Sequence, residues 1–205
     1  MRIRPDNFTR FFYFFVSLTL ISFGVAWGLK GLAKYFGLTD LPIWIETPSV
    51  VAVVVALYSL FDKHLWAWPL FRWLRVIDFP DLRGRWTGRL HSSHNGEELE
   101  AVLEIVQTSS GISVSLYGER SQSVSEIADF TVGSNGQTKL HYVYRNAPGS
   151  LSPDSMQMHL GTALLVCFTD ARVLEGDYYT GRGRQTHGTM RFEFAGRALL
   201  HRFRP

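Results

Sequence analysis

Side chains that could bind a small polar ligand recur on strand-like stretches in the second half of this 205-residue chain. In the stretch LEGDYYTGR, which begins at residue 174, strand alternation places Tyr178, Thr180 and Arg182 on one face. In KLHYVYR, the same alternation places Tyr142 and Tyr144 together. Aromatic rings offer faces on which bases stack, and a guanidinium group binds phosphate through paired hydrogen bonds. The pattern therefore favours a site for a nucleotide over a purely apolar interior.

Two further strand-like stretches add to this set. SQSVSE places Ser121 and Ser123 on one face, although both could instead lie in a solvent-facing loop. RGRWTGRL carries Trp86, which could either plug the floor of a barrel or stack on a base. The tyrosines could equally be core residues, and Arg182 could form a salt bridge or lie in an exposed loop. The predicted ligand-binding residues are Trp86, Ser121, Ser123, Tyr142, Tyr144, Tyr178, Thr180 and Arg182.

Catalytic and metal-binding signatures give little support to an enzyme. The seven histidines show no HExxH or HxH motif, and the single cysteine has no ligand-like spacing to any of them. His91 and His94, three residues apart at a strand end, are a weak metal signal. The chain has no GxSxG motif, no P-loop and no GxGxxG after a strand. We therefore predict no catalytic residues, no metal and no cofactor other than a bound ligand.

The elements that must position these side chains are short, alternating segments rich in Val, Ile, Thr, Tyr and Phe, from residue 81 onward. Turn-forming stretches such as TSSG and GSNGQ separate them. About eight antiparallel strands at this spacing indicate a closed up-and-down barrel or a sandwich. We favour the barrel, resembling lipocalins, because eight strands enclose room for one small ligand. One end of its interior would be apolar, and the other would carry the polar set.

The N-terminal part predicts two transmembrane helices. Phe11 to Leu29 is free of charge and is bracketed by Arg10 and Lys30, which suits a bilayer span better than a signal peptide. A second span is predicted over Leu41 to Phe61, although Val50 to Val55 alone could also form a buried strand. The fold class is therefore α+β: a two-helix transmembrane hairpin followed by the barrel.

Charge and aromatic patterns predict the topology. Basic residues before the first span and after the second outnumber those between them, which predicts that the N-terminus and the barrel lie in the cytoplasm. Tryptophans flank the spans and would form interfacial girdles. We divide the chain into a membrane part with its interfacial collar, residues 1–80, and a barrel, residues 81–205. The barrel part is neutral overall, which argues against a nucleic-acid polymer as partner, and with Cys167 alone no internal disulfide can form.

The order of these motifs resembles the two-transmembrane, β-strand-rich effectors of bacterial CBASS anti-phage systems. The segments that carry the resemblance are DLRGRWTGRLHSS, VLEIVQTSSGISVSLYGERSQSVS, KLHYVYRNAPG, HLGTALL and LEGDYYTGRGRQTHGTM, behind two spans. The resemblance implies a receptor for a cyclic dinucleotide, which a partner nucleotidyltransferase makes after infection. It also implies that the liganded effector self-associates and disrupts the inner membrane, so that the cell dies before the phage spreads.

Two other functions fit the same pattern. A membrane-anchored, lipocalin-like binder of a lipid or hydrophobic metabolite would have an interior without arginine. A protein-interaction adaptor would use the barrel as a platform and the basic tail, residues 197–205, to engage an acidic partner or anionic lipid.

Overall fold

The computed structural model describes residues 5–37, 50–74, 76–93, 96–133, 135–149, 158–168, 172–181 and 185–203. The chain divides into two compact units, Arg2–Asp78 and Phe79–Pro205. The first unit is helical and the second is built from strands.

The helical unit begins with one long apolar helix. Its elements are α1 (Pro5–Tyr35), α2 (Val50–Leu60), a π-helical turn (Phe61–Leu65) and α3 (Pro69–Trp73). Within α1, the stretch Phe12–Tyr35 is long and apolar enough to cross a membrane, judged by its length and composition. The described part of the predicted second span is helical, so the β-branched run from Val50 to Val55 does not form a strand. Residues 38–49 lie outside the described residues, and the second span stays a prediction.

The first helix buries one stripe and exposes the rest. Leu18, Ser22 and Ala26 are buried at intervals of four residues, the spacing that aligns side chains along one helix face. Helix α1 contacts the π-helical turn, since the ring centroid of Phe14 lies 4.5 Å from that of Phe61. The remaining faces of α1 are mostly exposed apolar surface, as expected of a helix surrounded by lipid.

The second unit is a closed barrel of eight antiparallel strands in sequential order. The strands are β1 (Gly84–Ser92), β2 (Glu98–Gln107), β3 (Ile112–Gly118), β4 (Ser121–Val132), β5 (Thr138–Pro148), β6 (His159–Phe168), β7 (Val173–Thr180) and β8 (His187–Gly196). Pairing of β1 with β8 closes the barrel. The predicted eight-stranded barrel is therefore confirmed, whereas a close likeness to lipocalins stays a prediction.

Local chemistry explains the hairpins. In the β2–β3 turn the Thr108 hydroxyl accepts hydrogen bonds from the amides of Ser110 and Gly111, as threonine does in tight turns. In the β4–β5 turn Gly136 has φ of 78°, a conformation that favours glycine. The segment from His159 to Phe168 forms one continuous strand.

The barrel interior is apolar over most of its length. Its core residues are Leu82, Trp86, Ala101, Leu103, Ile105, Val114, Leu140, Tyr142, Tyr144, Ala163, Leu165, Cys167, Leu174, Met190 and Phe192. A bulge between Ser125 and Ile127 shifts the alternation of β4, so that Ala128 and Phe130 face inward after it. The first half of β4 thus supplies serines to the interior and the second half supplies apolar groups.

Candidate functional site

The topology decides which of the predicted residues lie near one another. We define the first end of the barrel as that where β1, β3, β5 and β7 begin, and the second end as that where they finish. Five of the eight predicted residues lie in the half of the barrel toward the second end, and Tyr142 lies at the middle of β5: the five are Ser121, Ser123, Tyr144, Tyr178 and Thr180. Arg182 lies outside the described residues, but it follows directly after β7 in the chain. The structure does not bring Trp86 to this group.

Two tyrosines of β5 line the interior. Tyr142 and Tyr144 are 3% and 8% exposed, and their ring centroids lie 6.0 Å apart with the planes tilted by 50°. Tyr144 pairs directly with Gly161 of β6, and a Cβ atom on Gly161 would overlap the ring and hydroxyl of Tyr144. The glycine therefore provides the space in which this ring lies. Burial, and to a lesser extent the neighbouring Tyr144, raises the pKa of Tyr142, so its hydroxyl stays neutral and able to donate.

A second tyrosine–glycine pair lies on β7 and β8. Tyr178 pairs directly with Gly188, and a Cβ atom built on Gly188 would lie 2.7 Å from Cε1 of Tyr178. Tyr178 is half-buried and packs against the apolar core. Two aromatic rings thus lie over glycines of neighbouring strands in this half of the barrel. Of the two rings, that of Tyr178 is the more exposed.

Thr180 has a structural partner of its own. Its hydroxyl donates to the carbonyl of Thr186 at 3.0 Å and accepts from the Thr186 amide at 2.7 Å. The amide of Gly181 donates to the carbonyl of Leu160 at 2.7 Å. These bonds hold the described residues on both sides of the β7–β8 connection at the second end.

The serines on β4 lie beside a residue that sequence analysis missed. Ser123 pairs directly with Asn146 of β5, and the two residues are 5% and 6% exposed. The side chains of Ser123 and Asn146 form no hydrogen bond to any described residue, and their polar atoms keep some contact with solvent. Strand alternation from Tyr142 and Tyr144 leads directly to Asn146, and that signal could have identified it.

Trp86 closes the first end instead. Its indole N–H donates to the carbonyl of Leu82 at 2.9 Å, and its ring meets that of Phe194 edge-on at 5.2 Å. Trp86 is 4% exposed and lies at the start of β1, away from the tyrosines of the second end. The geometry fits the plug alternative for Trp86 better than base stacking.

A buried ion pair, which the sequence did not indicate, holds the C-terminal segment on the outer wall. Arg85 donates to the carboxylate of Glu104 at 2.6 Å and to the carbonyls of Arg202 and Phe203 at 2.8 Å. Glu104 also accepts the amide of Leu200 at 2.9 Å. Burial alone would raise the pKa of Glu104, but hydrogen bonds from these amides and from Arg85 outweigh it and lower the pKa.

A groove of about 1080 Å³ lies on the outer wall of β1, β2, β7 and β8. Its ionised side chains are five carboxylates and three guanidinium groups: Glu98, Glu100, Glu175, Asp177, Glu193, Arg85, Arg89 and Arg191. The guanidinium groups are paired with carboxylates, for example Arg191 with Glu175 at 2.9 Å. An excess of carboxylates repels phosphate. For an anionic ligand the second end is therefore the better candidate, despite the size of the groove.

Metal and redox chemistry have little basis among the described residues. These residues contain no group of three or more His, Cys, Asp or Glu side chains that could hold a metal ion. Burial raises the pKa of the Cys167 thiol to about 12, so this cysteine is protonated and unreactive at neutral pH. The second end is suited to binding by ring faces, hydroxyl groups and an amide.

Comparison with known proteins identifies the family of this chain. A family model described as "Cap15, cyclic dinucleotide receptor domain" matches residues 77–193, which contain β1 to β7 and most of β8. The CD-NTase-associated protein 15 of Yersinia aleksiciae is 32% identical over 186 residues, which cover 90% of this chain and 84% of that protein. These matches confirm the resemblance inferred from motif order, and the chain therefore belongs to the Cap15 family of cyclic dinucleotide receptor domains.

Proposed function

We propose that this chain is a membrane-bound CBASS effector whose barrel binds a cyclic dinucleotide at its second end. The observation that carries the proposal is the pairing of a receptor-family match with a barrel half that presents tyrosine rings and buried polar groups. The functional partner would be a nucleotidyltransferase that makes the ligand after phage infection. The chain itself would act as a receptor and not as an enzyme.

The ligand would place its bases and its phosphates in different parts of the site. The rings of Tyr144 and Tyr178 would stack on the bases, with stacking worth about 1–3 kcal/mol per base. The described inward residues of this half include no lysine or arginine. The two phosphates therefore belong at the rim, where the guanidinium group of Arg182 would neutralise one of them. Ser121 and Ser123 would donate hydrogen bonds to the ligand from the opposite wall.

The membrane part would convert binding into damage. Helix α1 is apolar and long enough to span a bilayer, and we propose that a second span over residues 41–61 completes a hairpin with the N-terminus and the barrel in the cytoplasm. Two spans are too few to form a pore, so disruption requires several chains. Gly24 and Gly28 are exposed on α1 with no described neighbour near their Cα atoms, and this small-residue face suits contact with a helix of another copy.

Ligand binding would drive this assembly by differential affinity. A ligand shifts an equilibrium between quiet and assembled states only as far as it binds the assembled state more tightly. A cyclic dinucleotide at the barrel mouth is well placed to do so, because it could contact a neighbouring barrel or reshape the strand ends.

Calorimetric titration of the full chain in detergent with a panel of cyclic dinucleotides tests the proposal. We expect tight binding of at least one, weakened about 10-fold or more by Tyr178→Ala through the loss of stacking. Glu175→Ala is the matched control, because Glu175 lies on the same strand but faces the outer groove. Failure of a folded chain to bind any cyclic dinucleotide would contradict the proposal. Tight binding of a fatty acid under those conditions would favour the lipid-binder function instead.

A further inference from the structure

The Asn146 side chain is a buried amide without a described partner. It is 6% exposed, and it forms no hydrogen bond to any residue that the structure describes. Its cross-strand neighbour Ser123, 5% exposed, is in the same position. The polar atoms of neither side chain are among the fully enclosed, unpartnered atoms of the described residues, so both side chains keep some contact with solvent. The two residues therefore resemble half of a hydrogen-bonding site whose other half arrives with the ligand.

The position of Asn146 relative to Tyr144 determines which part of a ligand the amide could reach. The two residues lie on the same face of β5, two positions apart, which corresponds to about 6.6 Å along a strand. A base stacked on the ring of Tyr144 would therefore direct one of its edges toward the amide. Ser123, opposite Asn146 on β4, would flank the same edge.

The chemistry of an amide selects the kind of edge. A carboxamide presents one acceptor and two donors side by side, so it pairs in a bidentate manner with an edge that has an acceptor next to a donor. Adenine presents such an edge at N7 and N6. A phosphate is a poorer partner, because it offers acceptors only and would face the amide oxygen.

We propose that Asn146, assisted by Ser123, reads the base identity of the cyclic dinucleotide by bidentate hydrogen bonding to the edge of a base stacked on Tyr144. This inference rests on the proposed function, and it assigns specificity, as distinct from affinity in general, to one side chain. Tyr144 and the rim contribute to the binding of every ligand, whereas Asn146 separates one ligand from another.

The test is titration of the full chain and its Asn146→Ala variant with cyclic di-AMP, cyclic di-GMP, cyclic di-UMP and cyclic GMP–AMP. We expect the variant to bind the preferred ligand about 10- to 100-fold more weakly, the value of one bidentate base contact. Ligands that the wild type binds poorly should change less than about 3-fold, because they do not form this contact. The differences among the four dissociation constants should therefore shrink.

A second variant reverses the preference. Asn146→Asp replaces the donor by an acceptor, so it should favour an edge with two adjacent donors, which guanine presents at N1 and N2. We expect the ratio of affinities to move toward guanine-containing ligands. Gln122→Ala is the matched control: it removes an exposed amide from the adjacent position on β4 and should leave all four constants unchanged. Should Asn146→Ala not fold, Ser123→Ala, which removes only an oxygen, should produce a smaller shrinkage of the same kind.

Two results overturn the inference and separate it from the proposed function. Equal weakening of all four ligands by Asn146→Ala would show that the amide supports the barrel or a phosphate, while cyclic dinucleotide binding itself would stand. If Asn146→Ala left the order and the spread of the four affinities unchanged, another residue would have to recognise the base. A folded wild type that bound none of the four would overturn both proposals together.

Discussion

Removal of the Glu104 carboxylate should destabilise the barrel far more than removal of any exposed carboxylate on the same strand. The Glu104 side chain is 2% exposed and that of Arg85 is 10% exposed. Glu104→Ala would leave the Arg85 charge buried with only two backbone carbonyls as partners, and it would remove the acceptor of the Leu200 and His201 amides. Breaking a buried pair in this way costs about 3–5 kcal/mol, a large part of the stability of a typical domain.

Thermal unfolding of the full chain, followed by near-ultraviolet circular dichroism, measures this effect. For a unit of this size the melting temperature should fall by roughly 10–20 °C. Glu98→Ala is the matched control, because Glu98 also faces outward from β2 but pairs with Arg89 in solvent, with side chains 57% and 63% exposed. Glu98→Ala should lower the free energy of unfolding by less than about 1 kcal/mol. Equal melting temperatures for the two variants would refute the account of a C-terminal segment held by a buried ion pair.

Three further predictions concern the interior and the charged contacts. Gly161→Ala should lower stability by about 1–3 kcal/mol through collision with Tyr144, and the loss should largely disappear when Tyr144→Ala is also present, as a double-mutant cycle by chemical denaturation would show. Trp86→Phe should lower the melting temperature but leave the ligand dissociation constant within about 3-fold, since Trp86 closes the opposite end. Folding lowers the pKa of Glu104 below its ordinary value of 4.5. The ionised carboxylate therefore contributes fully to the free energy of unfolding above pH 4.5, and this contribution is lost as the pH falls below that value. The melting temperature of the wild type should therefore fall more steeply below that pH than that of Glu104→Gln.

Strand alternation alone was enough to predict most of the inward positions. The alternation of side chains along a strand predicts that Tyr142, Tyr144 and Tyr178 face the interior. In the structure, the first two belong to the core and Tyr178 packs against it. The rule works here because neither β5 nor β7 contains a bulge of its own: the extra residue in the β4–β5 pairing lies on β4. Alternation also indicated that polar groups gather toward one end, which the positions of Ser123 and Tyr144 in their strands bear out.

Other features depended on information that a local pattern does not contain. The bulge after Ser125 changes which residues of β4 face inward, so alternation continued from Ser121 would bury Ile127, which is 69% exposed. Trp86 was grouped with the tyrosines because sequence gives the face of a residue but not the end of the barrel that it occupies. The pairing of Arg85 with Glu104 joins positions 19 residues apart and covers both with a segment from the C-terminus. Contacts of that kind arise from tertiary structure.

The measurement that tests the central claim most directly is dye release from anionic lipid vesicles that contain the full chain. The account predicts little release until the preferred cyclic dinucleotide is added, followed by release that depends on ligand concentration. Arg182→Ala should shift that dependence to higher concentrations, because it weakens phosphate binding at the rim. Release that is independent of ligand, or tight ligand binding without any release, would contradict the claim that the barrel controls membrane disruption.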